Sequence, residues 1–207
     1  MGSMARARKI PKPPSTPAVV TEFAENCVRY VESALKLRLD FEPETLSILD
    51  HYGSLIRDTK VKSDAERENL LRLLASLMGC YFGEVIRKHY DCRWCVTHPD
   101  PLEWRLEFLD CFLYFNPIGV AMEAMLADHD ECWGAGFATL PEDMSDLAES
   151  LDHIPGVSTE DFFRFTTRWD TLAYIVDWLV ARRLTPAFQK RRLSTTAVAY
   201  RKVADGC

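Results

Sequence analysis

The run Cys92-Arg93-Trp94-Cys95-Val96-Thr97-His98 sets two thiols three positions apart and an imidazole three further on. These residue types bind zinc or exchange a disulfide. Cys80 or His89 would have to complete a tetrahedral set. Two features oppose this chemistry: side chains three apart on a strand face opposite sides of a sheet, and no second CxxC closes the site. A thiol-exchange motif belongs at a helix start after a strand, whereas this one follows a helical pattern and enters a strand. Glu84 is the other group of chemical interest, because it continues the spacing of Leu77 and Tyr81 and borders a buried stripe, where an unpaired carboxylate is costly. Arg93 or Arg105 is its expected counter-ion. A structural ion pair of Glu84 with Arg93 and Arg105 is the preferred reading, since no second titrating group accompanies it. An enzyme or zinc protein built around Cys92, Cys95, His98 and Glu84 is the rival. The chain has no G-x-S-x-G elbow, P-loop, dinucleotide glycine fingerprint or H-E-x-x-H, so no catalytic residue, metal or cofactor is assigned.

Between Leu106 and Phe163 there is no lysine or arginine, yet the span holds Glu107, Asp110, Glu123, Asp128, Asp130, Glu131, Glu142, Asp143, Asp146, Glu149, Asp152, Glu160 and Asp161. Uncompensated carboxylates repel nucleic acid and anionic lipid and attract cations or basic protein surfaces. Asp128-His129-Asp130-Glu131 lacks the residue order and closing glutamate of an EF-hand, so calcium is not assigned. The ends carry the opposite sign. Eleven of the 25 basic residues lie in residues 1–14 and 182–207, which leaves 14 against 30 of the 31 acids, a formal −16 for residues 15–181. Either the basic ends fold back over the acids, within a Debye length of about 8 Å, or a basic partner docks there. Direct nucleic-acid binding is not expected, since phosphate contacts need a basic stripe.

The expected organisation is a basic, proline-rich tail over residues 1–16, one domain over 17–185 and a basic extension over 186–207. Pro11, Pro13, Pro14 and Pro17 exclude helix and sheet interior from the first of these. Met1-Gly2-Ser3 before Met4 reads as an expression scar, and the basic start has no following apolar segment of a secretory signal. No uninterrupted apolar run reaches the roughly 18 residues of a bilayer span. Seven cysteines scattered through apolar surroundings fit reduced thiols and a cytoplasmic location.

Helical periodicity positions these groups. Apolar residues recur at three and four from Ala18 to Leu39, and Pro43 opens a second helix to about Arg57. Ser63-Asp64-Ala65-Glu66 is a capping box for a third, whose stripe Leu70, Leu74, Leu77, Tyr81 and Val85 places it centrally. Gly79 and Gly83 let another backbone approach it. Arg93 to Thr97, Trp104 to Leu109 and Cys111 to Phe115 read as a small antiparallel sheet. Asn116-Pro117 starts a helix running to about Ala127. Pro141 to about Ile154 is an acidic helix, and Ser158 to Asp161 caps the last long one, whose Phe163 and Trp178 mark either an exposed binding surface or, the preferred reading, a second buried flank.

The string Gly79-Cys80-Tyr81-Phe82-Gly83-Glu84-Val85-Ile86-Arg87, followed by Arg93-Trp94 and Phe115-Asn116-Pro117-Ile118, resembles a family of uncharacterised bacterial proteins, a domain of unknown function. In that family a G-x-Y-x-G-E helix precedes a tryptophan-bearing strand and an asparagine-proline helix start. The resemblance covers roughly residues 60–130. It implies a stand-alone bacterial α+β domain of unassigned activity and transfers no catalytic residue.

The expected fold is therefore α+β, mainly helical, with about three antiparallel strands after the third helix. The expected function is a protein-interaction module, an adaptor or immunity-type binder. Asp128, Asp130, Glu131, Glu142, Asp143 and Asp146 would steer a basic protein partner and Trp133 would anchor it.

Overall fold

Val20, Ala24, Cys27 and Val31 form one buried stripe on helix α1, Ala18–Leu35, in a computed structural model that describes residues 15–59, 63–153 and 156–183. Except for Ser15 and Thr16, the two expected tails lie outside the described residues. α1 stops four residues before the expected Leu39, because Lys36 turns left-handed with φ 57° and its amide closes on Glu32 O. Leu39 is still buried, held in the connector that leads to a short 3-10 turn, Pro43–Thr45, and helix α2, Leu46–Arg57.

Helix α3, Asp64–His89, begins where Ser63 Oγ accepts the Glu66 amide at 3.3 Å. From Leu74 to Gly83 every residue is buried, so α3 is enclosed by other elements, chiefly α1 and the later helix α4, Pro117–Leu126. Each fully buried large side chain there, such as Phe82 or Ile86, contributes about 1.5–3 kcal/mol. Among the described residues α3 alone has the length and hydropathy of a bilayer span, and 72% of that window is buried inside the protein. The two glycines serve different neighbours. A Cβ at Gly79 would lie 2.5 Å from Ile118 Cα, whereas at Gly83 it would lie 2.2 Å from the Trp94 ring. Tyr81 satisfies its buried hydroxyl on the connector, accepting from Phe41 N at 2.9 Å and meeting Thr45 Oγ1 at 2.7 Å.

After α3 the chain forms an antiparallel sheet in the order β1-β2-β3-β4. Its strands are Cys92–Cys95, Arg105–Phe108, Leu113–Phe115 and Ala138–Thr139. The first three lie where the aromatic and β-branched runs predict them. The fourth, two residues long, pairs Thr139 with Leu113 and returns the Thr139 hydroxyl to Phe112 O at 2.7 Å. α4 starts as expected, with Asn116 Oδ1 accepting the Ile118 amide at 2.8 Å.

The C-terminal third corrects one expectation. Ser158 caps only a single turn, α6, Thr159–Phe162, which follows the acidic helix α5, Pro141–Leu151. The long helix α7, Phe165–Arg183, starts separately. Its first amides are met by Asp50 of α2, which accepts from Phe165 N at 2.6 Å, Thr166 N at 3.3 Å and Thr166 Oγ1 at 2.8 Å. α7 buries Phe165, Leu172, Ile175, Val176 and Leu179. Phe163 is buried, Trp178 is half-buried and Phe162 faces solvent.

Candidate partner-binding site

A loop joins α4 to β4 and carries Asp128, Asp130, Glu131 and Trp133. The three carboxylates are exposed, and among the described residues none of them is in an ion pair. The backbone beneath them is tightly held. Ala127 ends α4 in a left-handed conformation with φ 52°. Asp130 Oδ1 accepts the Cys132 amide at 2.9 Å and so caps the 3-10 turn Glu131–Trp133. Gly134 turns left-handed with φ 62°, and its carbonyl takes the Asn116 amide at 2.9 Å. A Cβ at Gly119 would fall 1.9 Å from Trp133 O, so the turn lies directly on the α4 backbone.

A buried charge network fixes the same loop to the core. Glu123 is fully buried on α4, and its two oxygens meet His129 Nδ1 from the loop and Arg168 Nη2 from α7. The Arg168 guanidinium lies 4.4 Å from the Phe162 ring centroid, and desolvation lowers its pKa against the pull of Glu123. Neither charge would be stable there alone. Sequence reasoning missed this pair. The available signal was a lone acid in the apolar run Pro117-Ile118-Gly119-Val120-Ala121-Met122-Glu123.

Trp133 is half-buried and packs against the core. It is a wall rather than a projecting anchor, and it lines a groove of about 290 Å³ with Leu71, Leu102, Met122 and Leu126. The α5 acids behave differently from those of the loop. Glu142 and Asp146 are exposed, but Asp143 is buried. Arg182 Nε lies 3.0 Å from Asp143 Oδ1, and Arg182 Nη1 reaches Asp146 Oδ2. Burial raises the Asp143 carboxyl pKa, with Arg182 opposing. The loop acids and, on α5, Glu142 and Asp146 are thus solvated, whereas Asp143 is withdrawn from solvent and Arg182 pairs with both Asp143 and Asp146.

The expected pairing of Glu84 with Arg93 and Arg105 is also corrected. Side chains alternate along a strand, so Arg93 points away from the face that Trp94 turns toward α3. Glu84 instead accepts from Trp94 Nε1 at 2.7 Å and Thr16 Oγ1 at 3.0 Å, and pairs with Arg87 at 3.0 Å. Arg93 and Arg105 both reach Glu107, at 2.8 Å and 2.9 Å. Register explains this convergence: Arg93 stands opposite Glu107, and Arg105 lies two residues before it on the same face.

The zinc and enzyme alternative gains no geometry. Cys92 is buried, and desolvation pushes its thiol far above the usual range, while Cys95 is half-buried on the other face of β1. His98 Nδ1 is engaged by the Asp100 amide at 3.2 Å. Among the described residues no three His, Cys, Asp or Glu side chains converge to hold a metal. Glu84 lines a pocket of about 410 Å³ between α1 and α3, but both its oxygens are occupied within the fold. No protein-family model, no curated protein and no solved structure matches this chain.

Proposed function

We propose that the chain is a protein-interaction module that holds a basic protein partner at Asp128, Asp130 and Glu131. The single observation that carries this reading is three neighbouring exposed carboxylates, without ion pairs among the described residues, on a loop anchored by Gly119, Asn116 and Glu123. Anchoring matters because a pre-ordered loop loses little entropy on binding. The field of the loop speeds encounter with a basic surface and weakens with salt. An adaptor or immunity-type binder working in the cytoplasm fits this chemistry, as does the stand-alone bacterial domain that the Gly79–Arg87 string resembles.

The test is a pull-down comparing the parent with an Asp128→Lys, Asp130→Asn, Glu131→Lys variant. Asparagine at 130 keeps an oxygen for the Cys132 amide and so preserves the turn. A reversal of Glu22 and Glu32 on the exposed side of α1 serves as control. The partner should be captured in a salt-sensitive manner by the parent and the control and lost from the loop variant. Capture that survives the loop reversal would exclude the carboxylates as the docking surface.

A further inference from the structure

We infer that the groove beside the acidic loop seats one apolar side chain of a lysine- or arginine-rich partner segment. The inference rests on the proposed basic partner and names what that partner must present. At about 290 Å³ the groove lies at the lower end of small-molecule sites, which run from about 300 Å³ upward, and it suits a single anchor residue. Its apolar lining comes from four separate elements. Leu71 belongs to α3, Leu102 to the turn before β2, Met122 and Leu126 to α4, and Trp133 to the loop turn.

Charge at the rim selects the occupant. The basic rim groups are engaged internally: Arg67 Nη2 donates to Arg57 O at 3.4 Å, and Arg72 pairs with Asp100 at 3.3 Å and Glu68 at 3.5 Å. Asp64, on the rim, is exposed and has no ion pair among the described residues. Because its acceptor is a neutral carbonyl, Arg67 keeps its charge and offsets Asp64, so the excess negative charge around the opening comes from Asp128, Asp130 and Glu131 on the adjoining loop. Cations flanking an apolar residue satisfy both halves of this site, and an acidic segment is repelled. A second copy of the same body is disfavoured too, because residues 15–181 carry a formal −16.

Three labelled synthetic peptides test this by fluorescence anisotropy with the full chain: four lysines around a central leucine, the same peptide with serine for leucine, and the leucine peptide with glutamates for lysines. The leucine–lysine peptide should bind about tenfold tighter than the serine peptide, the least expected from burying a leucine side chain, and the glutamate peptide should not bind. Trp133→Ala and, independently, Leu126→Gln should abolish the leucine advantage and leave serine-peptide binding unchanged. Equal binding of the leucine and serine peptides would overturn the groove while leaving the acidic docking loop standing. Equal binding of leucine–lysine and glutamate peptides would overturn the basic-partner reading itself. Binding that appears only after Lys190, Arg191 and Arg192 are reversed to glutamate would assign the groove to the chain's own basic segment and overturn a separate partner.

Discussion

Asp50 caps a helix that begins 115 residues away along the chain, and its carboxyl shows how burial and hydrogen bonding compete at one residue. Burial is the larger effect and raises its pKa above the ordinary 3.8, although donors from Phe165 and Thr166 pull the other way. A raised value means that the folded state holds this proton more tightly than the unfolded state. The contribution of Asp50 to stability is therefore complete below pH 3.8 and declines as pH climbs through the folded pKa. Asp50→Asn keeps an acceptor but cannot titrate. Urea unfolding across pH should show the parent losing stability relative to Asp50→Asn as pH rises from about 4, then levelling. Asp50→Ala should lie about 1 kcal/mol below Asp50→Asn throughout, the usual worth of a lost cap. A parent advantage that grows toward neutral pH would show that the ionised cap is the favoured form. Such pairings are largely illegible in sequence. The spacing that marks Glu84 as semi-buried is correct, but its partners depend on which face of β1 turns inward. Glu123 meets Arg168 and His129 only because α7 and the loop both cross α4.

Individual elements are far more legible, because periodicity and caps act over a few residues. The Ser63 and Asn116 caps, the α3 stripe and the first three strands all follow from local chemistry. β4 is missed because two residues carry no period. The break between α6 and α7 is missed because the cap of α7 comes from α2. The α3–α4 crossing lies between these cases: Gly79 signals a close approach but does not say to what. With a Cβ 2.5 Å from Ile118 Cα and 2.7 Å from both Ile118 N and Pro117 O, Gly79→Ala would push backbone against backbone. Alanine gains about 1 kcal/mol of helix propensity, whereas overpacking a fixed core costs about 1–3 kcal/mol. The clash should win because neither helix backbone offers a flexible side-chain end to move aside. Gly79→Ala is expected to lower the denaturation midpoint, while Gly136→Ala, with nothing within 4 Å, should leave it nearly unchanged. A stabilised Gly79→Ala protein would mean that α3 and α4 do not cross so closely in solution.

Across the whole molecule, composition shows the sign of the charge but not its division. The lysine-free span reads as one acidic surface in sequence, yet folding splits it into the open 128–131 loop and an α5 face where Arg182 pairs with Asp143 and Asp146 while Glu142 and Glu149 stay exposed. The Arg182 guanidinium also lies 5.0 Å from the Trp178 ring centroid, so its worth is either the ion pairs or the stacking. Asp143 decides between them. Its side chain is 6% exposed and that of Arg182 is 30% exposed, so Arg182→Ala strands a nearly buried carboxylate, a loss of about 1–3 kcal/mol. If the ion pair dominates, that loss should shrink in an Asp143→Asn background and as pH falls through the raised Asp143 pKa, because a neutral carboxyl needs no counter-ion. An equal loss in both backgrounds would assign Arg182 to the Trp178 ring. The same measurement bears on recognition. If the coupling is large, Arg182 is committed to α5 and the docking field arises from the loop, so Arg182→Ala should leave the leucine–lysine peptide affinity unchanged even as the fold weakens.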